Sequence, residues 1–310
     1  MKLLSIIIPV FNVENYIEEC LESIVPYLNS NVELILINDG ATDSSRERVI
    51  PYLNLNTNII VVDQKNKGLS ASRNVGISKS TGKYLWFVDS DDFLQIGAID
   101  SILDVISKQS PEIIAIDVTI LSDSDNVQKV VSRSLPPNVN IQSKFLYRKG
   151  FIYPFTGAQY YIVQKSFLTQ NNISFYEGIY FEDELYSTFL LTKSHQIFYL
   201  KESLYVYRLR KGSITASIST IKKCKDMITV MDNIYSLYVD ERNNNRDGFI
   251  PKSMILKKLS VLYRYLYYPL GSKEEKKTIR KLIRDRSYLL TEVIKSCNLK
   301  YIIRYLLLVI

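Results

Sequence analysis

Tyr84-Leu-Trp-Phe-Val-Asp-Ser-Asp-Asp92 is the stretch on which the fold turns. An apolar run, Tyr84 to Val88, leads straight into the carboxylates of Asp89, Asp91 and Asp92. A short unbroken apolar run is the pattern of a strand covered on both faces. Similar runs occur at Leu3 to Val10, Val32 to Ile37, Ile59 to Val62 and Ile113 to Val118. Helical spacing lies between them. Ile17, Cys20, Leu21 and Ile24 share one face; Ser44 to Tyr52 forms a second helix, capped by Thr42 or Asp43; Leu69 to Ser78 and Ile99 to Lys108 follow. Strand–helix alternation of this kind predicts an α/β fold with a mostly parallel sheet flanked by helices. Trp86, inside the decisive strand, is expected in the core.

Beyond residue 120 the pattern loosens. Residues 120–150, with Pro136-Pro137, read as a loop-rich excursion. Glu182 to Leu191 reads as a helix and Ile197 to Leu209 as a strand or hairpin. From about residue 220 the spacing is helical, as in Val261, Leu262, Tyr265 and Leu266. The expected organisation is a catalytic domain over 1–215 and a helical basic region over 216–310.

Composition supports a globular chain. Of its 310 residues, 46% are hydrophobic and 23% charged. Cys20, Cys224 and Cys297 are widely spaced and there is one histidine, so no zinc-type cluster is expected. Free thiols fit a reducing, intracellular setting. His195 reads as a surface or packing residue. The apolar run after Lys2 is interrupted at Pro9 and reads as a strand rather than a leader. The net charge of +7 is uneven: residues 252–310 carry 14 Lys and Arg against 4 Asp and Glu. The basic character therefore belongs to the tail.

In open α/β sheets, ligands bind beyond the carboxyl ends of the strands. Four segments follow strands here: Pro9-Val-Phe-Asn12, Asn38-Asp-Gly40, Asn66-Lys-Gly68 and Asp89-Ser-Asp-Asp92. Neither GxGxxG nor GxxxxGK[ST] occurs, so phosphates would need another holder. Crowded carboxylates invite a hard cation such as Mn²⁺ or Mg²⁺, which takes one or two carboxylates plus phosphate oxygens. The plainer alternative is that Asp91 or Asp92 caps the following helix. For Asp39, the plainer alternative is a turn residue in Asn-Asp-Gly.

Read in order, Ser5-Ile-Ile-Ile-Pro-Val-Phe-Asn12, Asn38-Asp-Gly-Ala-Thr-Asp-Ser44, Asn66-Lys-Gly-Leu-Ser-Ala-Ser-Arg-Asn74 and Phe87-Val-Asp-Ser-Asp-Asp92 resemble glycosyltransferase family 2. The resemblance is detailed over residues 1–120 and looser to about 215. It implies a GT-A fold with a nucleotide-sugar-binding half (1–120) and an acceptor-binding half (121–215). It implies that Pro9 and Phe11 flank the base and that Asp39 hydrogen-bonds it. Family members often have Tyr at Phe11, so the ring is kept and a hydroxyl lost. Asn66, Gly68 and Arg73 match the segment near the nucleotide, Asp89 the residue approaching ribose or sugar, and Asp91 the metal ligand of the DxD motif. Glu182-Asp183 resembles the ED motif, in which the Asp is the general base. Arg208, Lys211 and Ser213 resemble the loop that closes over the diphosphate.

The expected activity is inverting transfer of a sugar, from a UDP-sugar as the favoured donor, to a growing polysaccharide or lipid-linked oligosaccharide. A catalytically silent nucleotide-sugar-binding scaffold and a sugar nucleotidyltransferase are the alternatives. The nucleotidyltransferase needs a Gly-rich, Arg-containing loop where Pro9 to Glu14 stands. In the tail, Lys257, Lys258, Arg264, Lys276, Lys277, Arg280, Lys281, Arg284 and Arg286 alternate with apolar residues. This suits an anionic membrane surface on the cytoplasmic face. Nucleic acid is not expected as a partner. Oligomeric state is left open, with self-association as the tail's other role.

Overall fold

A computed structural model describes residues 2–122, 128–132, 138–142, 156–210, 220–244, 249–296 and 298–309. The chain forms two compact units, Met1–Gly178 with Lys193–Ser213, and Ile179–Thr192 with Ile214–Ile310.

The first unit is built on one sheet. Its central strands are β1 (Leu4–Val10), β2 (Val32–Asn38), β3 (Ile59–Asp63) and β4 (Tyr84–Phe87). They pair in parallel in the order β3-β2-β1-β4. Every residue of β1 and β4 is buried, as their unbroken apolar runs require. Helices α1 (Ile17–Glu22), α2 (Ser45–Leu53), α3 (Leu69–Lys79) and α4 (Ala98–Gln109) connect or cover these strands. Ile99, Ile102, Val105 and Ile106 form the buried stripe of α4. α3 sits close on β1 because Gly76 has no side chain. A Cβ there would stand 2.2 Å from Ile7 Cγ2.

A buried polar knot pins the register at the start of these strands. Ser5 Oγ donates to Glu33 Oε1 at 2.6 Å, and Thr81 N–H and Oγ1 donate to the same carboxylate at 2.6 and 2.8 Å. Burial pushes the Glu33 carboxyl up, but these donors outweigh it and hold it below its ordinary value.

The far half of the sheet mixes directions. The short strand β5 (Phe93–Leu94) follows the acidic run; β6 (Ile113–Ser122), β7 (Gln128–Val131), β8 (Val139–Gln142), β9 (Tyr161–Gln164) and β10 (Gln196–Leu209) complete it. β9 bridges β4 and β6 antiparallel, β6 and β10 run parallel, and β5 pairs antiparallel with β10. The excursion expected over 120–150 is thus partly strand. β7 and β8 are edge additions, and the exposed residues Gln128, Lys129 and Val130 carry no core alternation to betray them. Pro136 and Pro137 lie outside the described residues. Ile197 to Leu209 forms one long strand rather than a hairpin, with register shifts around Ser203. α5 (Lys165–Gln170) follows β9.

The second unit is helical. It contains α6 (Glu182–Lys193) except for its last residue, then α7 (Ile221–Asn243), α8 (Phe249–Val261), a π-helical segment Leu262–Tyr267, α9 (Lys273–Arg284), α10 (Ser287–Lys295) and α11 (Leu299–Val309). Met227, Met231, Ile255, Leu259 and Ile283 are among its core. Among the described residues, no helix is long and apolar enough to cross a membrane. Cys20 and Cys224 are buried free thiols; Cys297 lies outside the described residues. His195 is exposed, beside Glu112.

Candidate active site

The carboxyl ends of β1 to β4 carry the four segments singled out above, and hydrogen bonds join them. Phe11 follows β1 and is 45% exposed, whereas Pro9 is buried inside the strand opposite Ile37. Asn12 turns the chain with φ +52°, and its Oδ1 accepts from Thr42 N–H at 2.9 Å. Asp43 accepts from the backbone N–H groups of Glu14 and Ser45 at 3.1 and 3.0 Å. The loops after β1 and β2 are therefore tied together.

Asp39 does the same for the loops after β2 and β3. It is 3% exposed. Oδ1 accepts from Lys67 N–H at 2.8 Å and Gln64 Nε2 at 2.7 Å, and Oδ2 accepts from Gly68 N–H at 2.8 Å. Gly40 is required beside it, because φ is +71° and a Cβ would lie 3.0 Å from Asn66 N. Gly68, at φ +89°, starts α3. Asn66 itself is exposed.

The acidic run resolves into three environments. Arg73, on α3 and 2% exposed, donates from Nη2 to Asp89 Oδ1 at 2.7 Å, with its guanidinium 5.1 Å from the Phe175 ring centre. Asp92 is buried and does not cap α4, whose N-cap is Gly97. Tyr205 O–H donates to Asp92 Oδ2 at 2.5 Å, Arg208 N–H donates to Oδ1 at 2.8 Å, and Asp89 N–H donates to the Tyr205 oxygen at 3.1 Å. Burial first, then the charges of Asp89 and Asp91, push the Asp92 carboxyl well above its ordinary value. Asp91 receives Arg210 Nε on Oδ2 at 2.6 Å. Its carboxyl is also raised, by burial and by Asp89, against the pull of Arg210.

Arg208 does not point at open space. Its Nε donates to the Asp91 carbonyl at 3.1 Å, its Nη2 pairs with Glu19, and its guanidinium lies over Tyr16 and Phe93. Lys211 and Ser213 lie outside the described residues. The sequence reading missed Arg210 and Tyr205. Arg210 had a signal, since strand alternation puts it on the same face as Arg208. Tyr205 had none, because only the β5–β10 pairing brings it to the acidic run.

Glu182 and Asp183 open α6 in the second unit. Asp183 Oδ1 accepts from Glu184 N–H at 2.8 Å. Phe181, just before, has φ +67°, and Tyr180 N–H donates to Asp226 Oδ2 at 3.0 Å. Glu184 pairs with the buried Lys258.

Could the acidic edge of the first unit take a divalent cation? The donors are hard carboxylate oxygens, and Asp89 and Asp91 keep side-chain exposures of 24% and 21%. No ready-made cage of three or more acidic, Cys or His ligands exists among the described residues. A groove lined by Asp100, Asp104, Phe198 and Glu202 lies elsewhere on the unit and holds none of these residues.

Comparison with known proteins bears on the family and the fold. The sequence model described as Glycosyl transferase family 2 matches residues 5–169, and the chain belongs to that family. It is 27% identical over 245 residues to glycosyltransferase GlyA of Streptococcus pneumoniae serotype 4, covering 68% of this chain and 31% of that one. It is 30% identical over 224 residues to the uncharacterized glycosyltransferase EpsJ of Bacillus subtilis, covering 69% and 63%. The chain therefore spans less than two thirds of either relative. The crystal structure of S. aureus TarS 1-349 in complex with UDP-GlcNAc superposes with a TM-score of 0.73 at 21% identity, covering 92% of this chain and 81% of that one. The fold is accordingly GT-A, with C-terminal helices.

Proposed function

We propose that this chain transfers a sugar, with inversion, from a UDP-sugar to a hydroxyl of a growing polysaccharide or lipid-linked oligosaccharide. The observation that carries the reading is the meeting of the exposed Phe11 ring, the Asp39 clamp and the Arg-flanked Asp89 and Asp91 at one sheet edge. Phe11 offers a face for the base. Asp39 shapes the loop that approaches it, and with three of its roughly four acceptor positions used it keeps one for a base N–H. That the neighbour TarS was crystallised with UDP-GlcNAc supports a uridine nucleotide. Arg73, Asp89, Asn66 and Gly68 flank the ribose and phosphates. Arg208 borders the diphosphate, a role also proposed for Lys211 and Ser213.

Asp91 would hold Mn²⁺ or Mg²⁺, giving positive charge to the departing diphosphate. Asp183, supported by Glu182, accepts the proton of the incoming hydroxyl, which is a poor nucleophile until that proton can leave. One displacement inverts the anomeric centre.

In the tail, Leu290, Ile294, Ile303, Leu306 and Leu307 are exposed, as are Lys277, Lys281, Lys295 and Lys300. This combination supports docking on an anionic membrane surface. Lys258 is excluded from that role, since it is fully buried, and Arg286 is engaged by Asp232.

The test is a panel of UDP-glucose, UDP-galactose, UDP-GlcNAc and UDP-GalNAc, with and without Mn²⁺, following UDP release. Consumption of one donor is expected, together with loss of at least about 100-fold in Asp91→Ala and Asp183→Ala. Wild-type turnover in either variant would overturn the assigned roles, and nucleotide binding without turnover would favour a scaffold. Co-sedimentation with phosphatidylglycerol vesicles, but not phosphatidylcholine vesicles, checks the membrane reading.

A further inference from the structure

The second unit holds a charged residue that the reaction scheme does not use. Lys258, on α8, is fully buried and contacts the Glu184 carboxylate. Burying an ammonium is costly, and a well-packed apolar residue is often as stable as a buried ion pair. Its place next to the Glu182-Asp183 turn therefore calls for an explanation beyond stability.

That turn is held at its other end as well. Tyr180 N–H is fixed by Asp226 Oδ2 at 3.0 Å, and Lys222 pairs with the same carboxylate at 2.6 Å. The ammonium groups of Lys222 and Lys223 lie 5.0 and 5.5 Å from the Tyr180 ring centre. Between the two anchors stands Phe181 at φ +67°, a left-handed conformation that a bulky aromatic adopts only under constraint. Helices α7 and α8 thus supply charges that grip both ends of residues 180–184.

We propose that Lys258 is a positioning residue: through Glu184, and together with Asp226 at Tyr180, it fixes the turn that presents the Asp183 carboxylate to the acceptor hydroxyl. The inference rests on Asp183 being the base. It gives the C-terminal helices a part in turnover that is separate from any docking surface. The groups assigned to the donor lie in the other unit, so loss of Lys258 acts on kcat and spares donor KM.

The experiment compares Lys258→Met, Lys258→Met/Glu184→Leu and Asp183→Asn with wild type, using the member of the UDP-sugar panel consumed fastest. Misplacement of a catalytic group by about 1 Å costs on the order of 100-fold. A kcat loss of about 10- to 100-fold with donor KM within about twofold is expected for Lys258→Met. In the double variant no buried charge is left unpaired, so Tm recovers while kcat stays low. Amide exchange in residues 179–186 rises in both, independently of turnover. If the double variant regains both Tm and kcat, or if exchange in that segment is unchanged, the pair is only packing and the proposal fails. If Asp183→Asn keeps wild-type turnover, the base assignment fails instead, and the exchange result still decides whether Lys258 holds the turn.

Discussion

Replacing Asp39 by alanine removes one carboxylate and three hydrogen bonds. Two of the donors are backbone N–H groups, of Lys67 and Gly68, held at 2.8 Å. The third is the Gln64 side-chain amide at 2.7 Å, which sits where water can replace the contact. Hydrogen bonds to a charged acceptor contribute about 1.5–3 kcal/mol each. Because Lys67 is exposed, water recovers part of what its N–H loses, so the low end applies. Two such bonds put the cost at about 3 kcal/mol, a large share of a typical domain's stability of about 5–15 kcal/mol. Asp39→Asn keeps one acceptor and turns an NH₂ toward a donor, and should cost about half as much. Urea unfolding gives the global loss, and exchange at the Lys67 and Gly68 amides gives the local one. UDP titration calorimetry runs alongside. Stability and affinity should fall together, since the loop proposed to meet the nucleotide is the loop the carboxylate holds. If Asp39→Ala stays within about 0.5 kcal/mol of wild type with both amides still protected, the clamp reasoning is refuted. A selective loss of UDP affinity would then assign the carboxylate to the base alone.

Three further outcomes are expected. Gly76→Ala should destabilise by about 1–3 kcal/mol despite alanine's better helix propensity, because its methyl meets the buried Ile7 at 2.2 Å; thermal unfolding checks this. Burial pushes the Lys258 ammonium down to about 7, with Asp183 pulling the other way. From about pH 7 to about 10 the unfolded chain holds a proton that the folded one has released, so this group makes stability rise with pH. Lys258→Met should flatten the urea-derived stability profile across that window, and an unchanged slope would contradict the burial. Arg210→Ala takes the guanidinium off Asp91 and should tighten Mn²⁺ binding in the absence of nucleotide, measured by calorimetry, whereas Arg208→Ala, lacking that contact, should not.

The sheet's parallel half was legible because each of its strands is a run of apolar residues ended by a polar turn. Lys258 was not legible. Beside Lys257 in a tail rich in lysine it reads as one more solvated cation, and only the packing of α8 shows it buried. Asp92 was legible as part of an acidic run but not as a buried strut, since its partners Tyr205 and Arg208 come from a strand more than a hundred residues away. In each case the missing information is a long-range contact, which local periodicity does not encode. Arg210 differs, since the period-two alternation that sets it on the same face as Arg208 is a local property of the sequence.

The acidic run shows how one local pattern is divided by tertiary contacts into distinct tasks. Three carboxylates this close repel one another, and each is relieved differently. Asp92 is relieved by burial, a tyrosine hydroxyl and a backbone amide, and at 1% exposure it is closed off from solvent. Asp89 is held by an arginine that is itself buried against Phe175, so that pair is rigid. Asp91 is matched by Arg210, which has 20% of its side chain exposed at the end of β10. Exchange of a cation is easiest where the resident one is least enclosed. Under the proposed function, Asp91 would therefore be the carboxylate best suited of the three to exchange its partner for a metal ion, and the displaced guanidinium would then stay available to phosphate charge.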